Sequence, residues 1–155
     1  MRVMHDAPQA PPAPVGRGPL ADDPHGLILL AHGARDPAWA APFERVAAAV
    51  RAARPQTPVA LAFLEFMTPD LPTAGAALAA AGCRAVTVLP LFLGVGGHVR
   101  KDLPRLLDGL RARFPAVTWH LAPAIGEDAR LLAAMTAIAL DALSPPPGAG
   151  DATGG

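Results

Sequence analysis

Two histidines and a carboxylate in this 155-residue chain stand at or just past the ends of apolar runs, where a strand would give way to a loop. His32 follows "GLILLA" in "AHGARDP", Glu65 lies in "FLEFMTP", and His98 follows "VLPLFLGVGG". Neutral imidazole binds cobalt, iron, nickel and zinc, and with a reference pKa of about 6.5 it also accepts a proton near neutrality. A neighbouring carboxylate can balance metal charge or orient an imidazole. Two histidines are too few for a closed structural zinc site. The donor set therefore suits a transition metal held loosely. Gly96 and Gly97, just before His98, let backbone approach a ligand closely, and Arg35, Arg100 and Lys101 offer positive charge for carboxylates.

Each residue also has a plainer reading. A histidine after a strand can simply bond loop backbone. Glu65 sits among Phe63, Leu64, Phe66 and Met67 and is expected to be buried, where a salt bridge to Arg35 or Arg84 would satisfy it. Arg100 and Lys101 can form an ordinary solvated face. His5 and His25 are expected in or beside an exposed arm, His120 as a satisfied core histidine, and Cys83 as a buried thiol.

The elements that must position these groups follow from periodicity. Residues 26–31, 59–66, 85–93 and 116–122 are continuous apolar runs, which suit strands buried on both faces. A first helix starts within 37–42 and ends near Arg54, with Trp39, Phe43, Val46 and Val50 on one face and Pro42 blurring its start. The second opens at "TPDLP", with Thr68 as N-cap, Pro69 at the first helical position and Gly82 as terminator. The third begins near 102–104 with a stripe of Leu103, Leu106, Leu107, Leu110 and Phe114, which leaves His98 on a mobile loop. The fourth covers 127–142 and turns Leu131, Leu132, Met135, Ile138 and Ala142 inward. This alternation predicts a three-layer α/β domain over 25–143, with a four-stranded parallel sheet and right-handed crossovers. Ligands of such sheets bind beyond the carboxyl ends of the strands, the edge that collects His32, Glu65 and His98.

Composition removes other classes. Formal net charge is zero and tyrosine is absent, so neither general attraction to nucleic acid or anionic membrane nor aromatic stacking of single strands is indicated. Residues 1–24 and 144–155 are rich in proline or glycine and read as a disordered arm and tail, with no apolar h-region and no membrane span. The single cysteine forbids an intrachain disulfide, which fits a reducing cytoplasm. There is no G-x-x-x-x-G-K-[ST], C-x-x-C, H-E-x-x-H or G-x-S-x-G, and "GVGGHV" fails G-x-G-x-x-G at its last position.

"LLAHGARDP", "AFLEFMTPDLP" and "VLPLFLGVGGHVRKDLP" together resemble the class II chelatases of the CbiX type, the sirohydrochlorin cobaltochelatases and ferrochelatases. The resemblance covers roughly residues 26–143 and implies a chelatase-like (flavodoxin-like) fold. It implies insertion of Co²⁺, or Fe²⁺, into sirohydrochlorin on the way to cobalamin or siroheme, with the metal as substrate and no permanently bound cofactor. His32 and His98 match the family's metal-binding histidines, and Glu65 matches an acidic position common in it. Ala34 stands where serine is commoner. The chain has one unit where longer relatives have two in tandem, like the short members that work as homodimers. Nickel insertion into the same ring, and a metal or tetrapyrrole carrier without catalysis, stay open. Metal insertion exchanges two pyrrole N–H protons for a divalent cation. Its catalyst must deliver a partly dehydrated metal, bend the ring and remove protons, tasks that imidazole and carboxylate can share. Arg35, Arg100 and Lys101 would anchor the ring's carboxylates.

Overall fold

Four parallel strands in the order β2-β1-β3-β4 form the centre of the computed structural model, which describes residues 24–145. They are β1 (His25–Ala31), β2 (Val59–Phe63), β3 (Ala85–Pro90) and β4 (Thr118–Leu121). The helices are α1 (Ala41–Ala53), α2 (Leu71–Ala80), α3 (Gly97–Arg113) and α4 (Ala129–Asp141). The expected arm and tail, and His5 with them, lie outside the described residues apart from Pro24, Ser144 and Pro145. No helix among the described residues is long and apolar enough to cross a membrane.

The apolar run of β1 is continuous because both its faces are covered. Ile28 and Leu30 join Val86 and Val88 of β3 in a core closed by Leu71 and Leu78 of α2 and Leu103, Leu107 and Leu110 of α3. Ala31 turns the other way, with Phe63, onto Ala40, Trp39 and Phe43 at the start of α1. Packing is tight on the first side. A Cβ on Gly75 would come within 2.6 Å of a Leu110 methyl, so glycine there lets α2 and α3 meet.

Helix starts follow from capping. Asp36 accepts from the Ala38 amide at 2.9 Å and opens a 3-10 turn, Pro37–Ala40, that leads into α1. Pro42 falls in the first turn of α1, where no amide donor is needed, so it marks the start rather than breaking it. On α1 the buried residue is Ala47, while Val46 of the expected stripe is 45% exposed. The N-cap of α2 is Asp70, not Thr68: its carboxylate accepts from the Thr73 amide at 2.8 Å, and Pro72 takes the proline-tolerant first turn. Pro69 is bonded to β2 instead, its carbonyl accepting from the Phe63 amide at 2.9 Å.

Four further expectations are corrected. α3 begins at Gly97, ahead of the expected start, with the Arg100 amide bonded to the Gly96 carbonyl at 3.1 Å. Pro104 lies inside the helix and merely forgoes one internal bond. His98 therefore belongs to a helical first turn, not to a mobile loop. β4 is a short edge strand, with Trp119 buried and His120 exposed, so His120 is not a core residue. It has a partner strand on one side only, β3. α4 buries none of its residues: Leu132, Met135 and Ile138 are 50%, 43% and 68% exposed. Of the expected inner face only Leu131 turns towards the sheet, where with Ala134 and Leu89 it lines a groove of about 640 Å³. His25 also departs from expectation, since it heads β1 and shares a 2.8 Å hydrogen bond with Thr87.

Candidate functional site

The carboxyl edge of the sheet is built by continuing the β1–β2 ladder past the strand ends. The Leu64 amide donates to the Ala31 carbonyl and the Glu65 amide to the His32 carbonyl, both at 3.0 Å, so the backbones of His32 and Glu65 run side by side. Gly33 makes this possible. Its φ is +91°, and a Cβ there would lie 1.8 Å from the Glu65 carbonyl oxygen. The His32 ring rests against Phe92, with ring centroids 4.6 Å apart, and Phe92 is itself buried in the core. A fixed apolar wall thus holds one side of the imidazole while the residue stays exposed.

After Glu65 the chain turns sharply. Phe66 adopts φ 63°, a region that a bulky residue rarely occupies, and the Met67 amide closes the turn on the Glu65 carbonyl at 2.8 Å. The turn leaves Phe66 57% exposed, and Arg35 stacks over its ring at 4.6 Å. Glu65 is exposed rather than buried, because the turn carries it out of the apolar run. The salt bridges found among the described residues do not include it. Arg35 is engaged with Phe66, and Arg84 lies at the amino end of β3, on the opposite edge of the sheet.

His98 comes to this edge on the first turn of α3. One cavity of about 560 Å³ is lined by His32, Glu65 and His98 together, with Leu64, Val99, Leu103 and Leu106 as its apolar wall. Asp102 and Arg105 line it too. Neither stands out in the sequence when α3 is expected to begin near 102–104. From His98 they follow at i+4 and i+7, one face of a helix, and that spacing was the available signal. Arg100 is directed to a separate pocket of about 200 Å³ with Glu127, and Lys101 lines neither cavity. A Cβ at Gly96 or Gly97 would meet no atom within 4 Å, and neither glycine has a positive φ. Nothing among the described residues requires glycine at these two positions.

Among the described residues no three His, Cys, Asp or Glu side chains converge closely enough to hold a metal ion. The cavity offers separated donors, a pair of imidazoles and two carboxylates, around an open volume. Such a set can pass a cation on more readily than it can cage one. Cys83 takes no part: it is buried, and burial pushes its thiol pKa up, away from the thiolate that would react or bind metal.

Residues 26–142 match the family model CbiX. The chain belongs to the CbiX family. It is 35% identical over 82 residues to a sirohydrochlorin cobaltochelatase of Saccharolobus islandicus (strain L.S.2.15 / Lassen #1), a match covering 53% of this chain and 62% of that one. It therefore spans less than two thirds of the curated relative it matches. The structure of a CbiX protein from Marinobacter aquaeolei VT8 superposes with a TM-score of 0.69 at 37% identity, over 77% of this chain and 98% of that one. SirB from Bacillus subtilis, solved with Fe³⁺, shares the fold at a TM-score of 0.68 and 22% identity, and this chain corresponds to 48% of it.

Proposed function

We propose that this CbiX-family chain is a sirohydrochlorin chelatase, an enzyme that inserts a divalent metal, Co²⁺ first and Fe²⁺ second, into that tetrapyrrole. The observation that carries the reading is the shared cavity in which His32 and His98 face the same volume as Glu65. The name of the Saccharolobus relative supplies the ring and the preferred metal. In this reading the metal is substrate. An imidazole binds it on its way to the ring, and an imidazole or the Glu65 carboxylate receives the pyrrole protons as nitrogen–metal bonds replace nitrogen–hydrogen bonds. Phe92 keeps His32 in place against the pull of the departing cation.

The working unit is a homodimer in the cytoplasm, an environment that suits the lone, buried thiol of Cys83. Two features support the dimer. The apolar side chains of α4 have no cover among the described residues, and SirB, of the same fold, is about twice the matched length. A two-fold pairing through α4 would cover them. Mixing the protein with sirohydrochlorin and Co²⁺, Fe²⁺ or Ni²⁺ and following the visible spectrum tests the activity. Acceleration over the protein-free rate, greatest with Co²⁺, is expected. Tight Co²⁺ binding without acceleration would make the chain a carrier.

A further inference from the structure

We infer that Arg105 is a substrate-anchoring residue, which holds a peripheral carboxylate of the macrocycle and so sets its orientation over His32 and His98. The inference rests on the chelatase reading and adds a residue to it. Arg105 is the one Lys or Arg among the described residues lining the 560 Å³ cavity, whose other charged residues are the acids Glu65 and Asp102. A polycarboxylate ring entering that cavity meets repulsion from both acids and attraction at one point. Its orientation is therefore decided there.

The state of Arg105 supports this. α3 carries the same Asp–Arg pair at i,i+3 twice. Asp108 and Arg111 close into a 2.9 Å ion pair, and Arg111 also donates to the Trp119 carbonyl at 3.1 Å, which ties α3 to β4. Asp102 and Arg105, at the same spacing on the same helix, form no ion pair. No hydrogen bond, ion pair or ring contact among the described residues engages the Arg105 guanidinium. An exposed arginine that leaves its neighbouring aspartate unpaired has its planar donor fork free for a carboxylate from outside the chain. Arg100, which the sequence suggests for this work, is turned to another pocket.

The test uses the full chain, with Arg105→Lys and Arg105→Glu beside the parent. Uroporphyrin, an octacarboxylate porphyrin, is the binding probe, read by its fluorescence, and Co²⁺ alone is the metal probe. Loss of a charge-assisted bond and its replacement by repulsion should weaken uroporphyrin binding by about tenfold to a hundredfold in Arg105→Glu. Arg105→Lys should recover part of it, and Co²⁺ binding should weaken in neither variant, since neither adds positive charge to the cavity. With sirohydrochlorin the effect should fall on KM more than on kcat. If the parent binds uroporphyrin in an Arg105-dependent way but does not metallate sirohydrochlorin, the anchor stands and the chelatase reading fails. If the parent metallates and Arg105→Glu binds and turns over like it, or if the parent does not bind uroporphyrin, the anchor is wrong.

Discussion

α3 and α4 are both amphipathic helices read from the same kind of apolar stripe, yet the fold uses them in opposite ways. α3 sends Leu103, Leu107 and Leu110 into the main core and carries His98, Asp102 and Arg105 along the cavity. α4 buries no residue and shows Leu132, Met135, Ile138 and Leu140 to the surroundings. The difference lies in what each helix meets. α3 crosses from β3 to β4 over a sheet face already supported by α2, with Gly75 allowing close approach. α4 follows the edge strand β4 and touches the rest of the fold mainly through the 3-10 turn at Ile125–Glu127. An apolar stripe says that a helix wants a partner. It does not say that the partner is in the same chain.

The largest expected effect on stability tests the α3 side. Leu107 is 1% exposed, so Leu107→Ala should lower unfolding stability by about 2–5 kcal/mol. Urea titration measures it, and a loss under about 1 kcal/mol would mean that the α2–α3 core is looser than described. On the α4 side, Ile138→Lys replaces a residue that is 68% exposed, and monomer stability should change by no more than about 0.5 kcal/mol. The same substitution should convert a dimer to monomer in light scattering. An unchanged dimer would move the interface off α4.

The smallest effect concerns the start of α4. A side-chain hydrogen bond from Arg130, with its backbone amide adding to it, lowers the Asp128 pKa from 3.8 to about 2. A carboxylate with a lowered folded-state pKa stabilises above its unfolded value and loses that contribution as pH falls through the folded one. Parent and Asp128→Ala should therefore differ slightly in melting temperature above pH 4, and the gap should close as pH drops towards 2. A gap independent of pH would mean that the charged cap is not involved.

Much of the fold is legible in the sequence, because β1, β2 and β3 are mainly apolar and the helices keep their period. The errors share physical causes. The segment 102–104 reads as a helix start, although α3 begins at Gly97 and accommodates Pro104 inside, and that reading puts His98 on a loop. The apolar neighbours of Glu65 imply burial, but the turn at Phe66 is a backbone event that composition does not report. Asp70 rather than Thr68 caps α2, because Pro69 is still bonded to β2. The stripe of α4 reads like that of α3, but periodicity does not report that the sheet leaves this helix unburied among the described residues.

The central claim is that His32 and His98 act on the same metal and the same ring. Cobalt insertion into sirohydrochlorin by the parent, His32→Ala and His98→Ala, followed by visible absorbance with melting curves alongside, tests it most directly. Both residues are exposed, so each variant should melt close to the parent while losing about a hundredfold or more in rate. Folded variants that insert cobalt at the parent rate would contradict the account.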